Sequence, residues 1–151
     1  MVINALPQKG STYQLLTATG GTCSVNLGAA AYASKEVLFC PGDLVATGSA
    51  STALKMLRAD GDITLALATL GSTTQAVIVS SINGTVEPDR DALLYGTIYA
   101  PNGEVRTNGH VFTGRKGRII AADVRVNGSG DTLTLDTTGD PYAPQGVQLI
   151  Q

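Results

Sequence analysis

The sequence predicts an all-β fold, built from antiparallel hairpins closed into a sandwich or barrel, with extended N- and C-terminal arms. Three observations carry that prediction. Five pairs, Asp60-Gly61, Asn83-Gly84, Asn102-Gly103, Asn108-Gly109 and Asn127-Gly128, supply the positive φ angles that tight turns between antiparallel strands demand. Flanking runs alternate, as where Ile63, Leu65 and Leu67 are spaced by Thr64 and Ala66, the period of a half-buried strand. The third is size and texture: 151 residues, 43% hydrophobic and only 15% charged, suit one domain with a core of its own.

The elements follow in order. Residues 1–16 read as an N-terminal arm, 17–138 as a single β domain and 139–151, with Pro141, Pro144 and Gly146, as a C-terminal arm. Val37 to Cys40 and Gln75 to Ser80 are apolar runs of buried-strand length. Leu54 to Arg58 leads through Asp60-Gly61 into Asp62 to Ala68 as a hairpin, and a short helix over Ser49 to Ala59 is the competing reading. Leu94 to Tyr99 pairs with Glu104 to Thr107, and Ile119 to Val126 pairs with Asp131 to Asp136. Nine or ten strands result.

Ten Lys+Arg against 12 Asp+Glu leave a net charge of -2, so broad affinity for nucleic acid or acidic membranes is disfavoured. Met1 to Gly20 has neither a basic start nor an apolar run of signal-peptide length, and no stretch is long enough to span a membrane, so synthesis in a cytoplasm is expected. In that compartment Cys23 and Cys40 are expected as two buried, reduced thiols, a disulfide being the alternative. Gly10 to Ser34 and Ile63 to Val86 carry no charged residue. Two readings stay open there, low charge throughout or sheet faces covered by a neighbour.

Catalytic chemistry finds little support. His110 is the single histidine and follows a turn signal, and neither cysteine sits where a nucleophile would be activated. No G-x-S-x-G elbow, zinc-binding histidine pair or phosphate loop occurs, so the chain is expected to be non-enzymatic and to use no cofactor or metal. Asp60 with Asp62, Asp89 with Asp91, and Asn127 to Asp131 offer oxygen ligands, but turn-forming roles account for them better. Arg115, Lys116 and Arg118, flanked by Arg106 and Arg125, form the one basic cluster. Pairing with acidic residues of a neighbouring copy, such as Asp131, Asp136 or Asp140, is preferred over phosphate contact.

The arm-like Met1 to Gly20, the Asn-Gly pairs from Asn83 onward and the low-charge, Gly/Thr/Ala-rich texture together resemble accessory virion proteins of tailed bacteriophages, and most of all capsid decoration, or cement, proteins. The resemblance implies a β-rich structural protein of the virion, made in the host cytoplasm, that stabilises a capsid by bridging shell subunits. It implies the major capsid protein or another virion protein as partner and a homo-oligomer, a trimer in many such families. Val2 to Leu16 would then be the binding arm, with Val2, Ile3, Leu6, Leu15 and Leu16 its apolar contacts and Arg115, Lys116 and Arg118 a polar one. A phage neck, tail-tube or fibre protein is the alternative. A sugar-binding module is disfavoured by five Tyr, two Phe and no Trp.

Overall fold

A computed structural model describes residues 12–67, 69–88, 92–127 and 132–135. Its strands are β1 (Tyr13–Leu15), β2 (Thr22–Asn26), β3 (Val37–Cys40), β4 (Asp43–Thr47), β5 (Met56–Ala59), β6 (Ile63–Ala66), β7 (Thr69–Leu70), β8 (Val77–Ser81), β9 (Val86–Pro88), β10 (Leu93–Thr107), β11 (His110–Val126) and β12 (Thr132–Leu135). One 3-10 turn covers Ala30–Tyr32.

Every ladder between these strands is parallel. The chain winds as a β-solenoid, so the predicted antiparallel sandwich or barrel is not the fold. Each strand pairs with its counterpart one coil away. One face, sheet A, stacks β1, β3, β5, β8, the middle of β10 and the middle of β11. A second face, sheet B, stacks β2, β4, β6, β9 and the last residues of β10 and β11. A third and narrower face stacks β7, the starts of β10 and β11, and β12.

The hairpins fail for a specific reason. Asp60-Gly61 joins β5 to β6, which do not pair: β5 lies between β3 and β8, and β6 between β4 and β9. Leu94 to Tyr99 and Glu104 to Thr107 lie in the same strand, β10, bent across the A/B corner. Ile119 to Val126 pairs with β10, whereas β12 pairs with His110 to Thr113. Over Ser49 to Ala59 the chain makes a turn closed by Leu54 N–H on Ser51 O at 3.3 Å, then enters β5 without a helix.

Gly61, Gly84 and Gly103 of the predicted turn pairs mark, with Gly21 and Gly42, one recurring corner. Gly21, Gly42, Gly61, Gly84 and Gly103 stand between the A and B strands of successive coils. A Cβ on Gly42 would lie 2.1 Å from Gly21 O, and one on Gly103 1.9 Å from Gly84 O. At Gly42, Gly61, Gly84 and Gly103 close approach between coils, not positive φ, therefore demands glycine, whereas Gly21 has φ +87° with nothing within 4 Å of a Cβ, so there the backbone conformation demands it. Backbone and carboxylate bonds tie the corner from coil to coil: Asp43 N–H to Gly21 O at 2.9 Å, Asp62 N–H to Asp43 Oδ1 at 2.9 Å, and Thr85 N–H to Asp62 Oδ1 at 2.7 Å.

Alternation does decide what faces inward. Leu38, Leu57, Val79 and Ile98 form one buried row inside sheet A, and Cys23, Leu44, Ile63, Val86 and Val105 one inside sheet B. Each such side chain contributes about 1.5–3 kcal/mol by leaving water. Cys23 and Cys40 are joined in a disulfide, not held as the two free thiols expected. The bond spans the A/B corner and ties the first coil to the second. Tyr13 to Leu15, assigned from sequence to the N-terminal arm, pair with Val37 to Phe39 as strand β1. Residues 1–11 and the whole assigned C-terminal arm, 139–151, lie outside the described residues.

Candidate contact surface

The residues of sheet A that alternate with its buried row make an outer face. Two aligned rows cross it: Tyr13, Val37, Met56, Ile78, Thr97 and Arg118, then Leu15, Phe39, Arg58, Ser80, Tyr99 and Ile120. Apolar and aromatic groups dominate, most of them half-buried, and Val37 is buried. Leu15 and Ile120, at the two ends of the second row, are 52% and 44% exposed. The Arg58 guanidinium lies over the Phe39 ring, 5.2 Å from its centroid, so even the cation in mid-row is laid along an aromatic surface. Beside it Ser80 is fully buried, with no hydrogen-bond partner for its hydroxyl among the described residues.

Sheet B presents a different exterior. Its outward row runs Ser24, Val45, Thr64, Glu87, Arg106 and Arg125. Glu104, at the corner, accepts from Arg106 Nε at 3.1 Å and lies 3.5 Å from Arg125 Nε on the next coil. The hydrogen bond from Arg106 holds the Glu104 carboxyl below its ordinary value against some desolvation, with the charges of Arg106 and Arg125 adding to it. The same pairing raises the Arg106 guanidinium. Further along, Asn108 donates to Glu87 Oε1, and Asn127 Nδ2 donates to Asn108 Oδ1 at 3.1 Å, extending the polar ladder by one coil.

The structure sorts the sequence-derived candidates unequally. Leu15 and Arg118 lie on the same outer face, on its first and last strands, five strand spacings or about 24 Å apart. Leu16 is 6% exposed within the core, so it is not available as a contact residue. Arg115 and Lys116 fall in β11, and His110 is its first residue. Val2, Ile3 and Leu6 lie outside the described residues, as do Asp89, Asp91, Asp131, Asp136 and Asp140. Asp62, proposed as one of a ligand pair with Asp60, spends Oδ1 on the Thr85 amide. Among the described residues no group of three or more His, Cys, Asp or Glu side chains could hold a metal ion.

The sequence reading missed Phe39, Met56, Ile78 and Tyr99 as surface. A signal existed: Val37 to Cys40 and Val77 to Val79 are unbroken apolar runs, which a strand apolar on both faces produces as readily as a buried one. Comparison with protein-family profiles, curated proteins and solved structures returned no match.

Proposed function

We propose that this chain is a non-enzymatic structural protein of a tailed-phage virion, seated on neighbouring protein subunits through the outer face of sheet A. The single observation that carries the reading is the contrast between its two broad exteriors. A face bearing Tyr13, Leu15, Phe39, Met56, Ile78, Tyr99 and Ile120 suits protein contact, while one bearing Glu87, Glu104, Arg106 and Arg125 suits water. The bond-dense parallel ladder between them gives a stiff platform for presenting that face. Capsid decoration, with the partner a major capsid protein and residues 1–9 adding an arm, is the leading form of the proposal.

The test is binding to capsid shells and tail assemblies that lack this protein. Leu15→Glu should weaken binding at least about tenfold while Arg125→Glu, on the opposite exterior, leaves it near wild type. Removal of Met1 to Lys9 should weaken shell binding as well. Equal binding by Leu15→Glu and wild type would overturn the assignment of the face.

A further inference from the structure

The outer face of sheet A carries one polar pair that the fold leaves unused. Arg58, on β5, and Ser80, on β8, are register neighbours in the middle of the second outward row, with Phe39 on one side of them and Tyr99 on the other. Arg58 Nε and Ser80 Oγ are both buried, and neither has a hydrogen-bond partner among the described residues. Ser80 is 0% exposed, yet it alternates with the inward Val79, so its hydroxyl stands on the outer side of the sheet. No carboxylate among the described residues lies within ion-pair reach of Arg58, and the guanidinium rests instead on the Phe39 ring. The two outward rows hold two cations, Arg58 and Arg118, and no acid. A buried hydroxyl and a buried N–H that bond nothing cost the fold stability and return none.

We infer that Arg58 and Ser80 are the receiving point of this face, and that the protein seated on it places the carboxylate of an Asp or Glu side chain over them. The inference rests on the reading of this face as the contact surface and names the chemistry of its partner. Neighbouring strands stand about 4.8 Å apart, so one carboxylate spans the pair, accepting from the guanidinium with one oxygen and from the hydroxyl with the other. Rising from Phe39, the guanidinium turns Nε outward beside the hydroxyl and frees the ring for apolar contact. The exchange is favourable because a cation over a ring at a solvent-facing site is held weakly, whereas a charge-assisted bond strengthens once the partner excludes water. A carboxylate suits the site better than a phosphate chain. The groups around the pair are Phe39, Met56, Ile78 and Tyr99, which fit a protein surface, and two arginines on separate strands make no basic track for a nucleic-acid backbone. An arginine amid aromatic groups is also the composition in which interface energy concentrates.

The experiment has two arms, both on the full chain. In the first, the Arg58 Nε–H and Phe39 ring signals are followed by NMR during titration with sodium acetate at constant ionic strength. They should move together to a saturating value, and Ser80→Ala should raise the half-saturating acetate concentration at least about threefold. Ser80→Ala should also leave the thermal midpoint as high as wild type or higher, since it removes a buried hydroxyl that bonds nothing. Absence of saturation, or an equal response from Ser80→Ala, overturns the inference, as does a lowered midpoint, which would give the hydroxyl a structural partner. Dimethyl phosphate saturating the same signals at lower concentration than acetate would make this a site for a nucleic-acid backbone and overturns it too. In the second arm, Arg58→Gln should weaken binding to capsid shells or tail assemblies at least about tenfold. If Leu15→Glu weakens that binding and Arg58→Gln does not, the contact face stands and the carboxylate inference falls. If acetate saturates the pair as expected and no assembly binds, the receiving point stands and the phage assignment falls.

Discussion

The first coil and the sixth both place apolar side chains inside sheet B, yet Cys23 and Val25 are buried and the first coil is covalently tied, while Val124 is half-buried and Val126 43% exposed. At the first, the Cys23–Cys40 disulfide joins neighbouring coils across the A/B corner. At the sixth, the ties between described residues include Arg125 against Glu104 and Asn127 on Asn108. In a solenoid each coil completes the core of its neighbours, so stability is close to a sum of coil and nearest-neighbour terms. A coil in the middle gains two interfaces. The sixth gains one from the described residues, and the exposure of Val126 measures the difference.

The largest effect expected follows from that count. Leu57, in the third coil, is fully buried between Leu38 and Val79, and Leu57→Ala should cost about 2–5 kcal/mol in denaturant unfolding. Ile119→Ala occupies the equivalent inward row at the open end and should cost less than half as much. Equal costs would mean that the sixth coil is packed as tightly as the third, and the contrast between the ends would fall.

Next in size is the covalent tie. Closing a loop with a sequence separation of 17 is worth about 3 kcal/mol through the unfolded chain, so Cys23→Ser with Cys40→Ser, or full reduction, should lower stability by about that amount. The effect should be local: amides of residues 13–47 should open more readily, while those of 118–126 stay unchanged. Thiol titration after denaturation without reductant should find none. Two thiols appearing there would restore the free-cysteine reading.

The same two regions show what was legible in the chain. Some strand positions and inward residues were, because alternation such as Ile63-Thr64-Leu65 has one meaning whichever neighbour the strand takes, whereas β1, β2, β4 and β9 were not assigned as strands. Partner choice was not. An antiparallel hairpin and a solenoid corner both place Asn-Gly or Asp-Gly between two alternating runs, and only the recurrence of Gly21, Gly42, Gly61, Gly84 and Gly103 at spacings of 21, 19, 23 and 19 separates them. Reading Gly61, Gly84 and Gly103 as turn formers, one at a time, hid a column in which they, like Gly42, are fixed by contact between coils. The disulfide was hidden likewise: Cys23 and Cys40 become neighbours only when the coil brings the start of a B strand beneath the end of the next A strand. The outer face of sheet A was half legible, through Leu15 and Arg118, because surface and core residues are equally apolar where a strand has no polar side.

The smallest effect sharpens the comparison by pH. Glu36 is bonded to Lys55 at 2.5 Å across the second and third coils, and Glu104 is bonded to Arg106 and set near Arg125 at the far end. Both carboxyls are held below 4.5, Glu36 chiefly by its bond from Lys55 and Glu104 chiefly by its bond from Arg106. Below 4.5 the unfolded chain therefore takes up these protons before the folded one does. The stabilisation is complete above that value and is lost as pH falls through the lower, folded values. Both pairs are solvent-exposed, so added salt should shrink the effect. Glu104→Gln should remove the acid response of amide exchange in residues 118–126 and leave that of residues 37–59 intact, and Glu36→Gln should do the reverse. If either substitution flattened both responses, the coils would be coupled over the whole length, and the two ends could not be treated as separate interfaces.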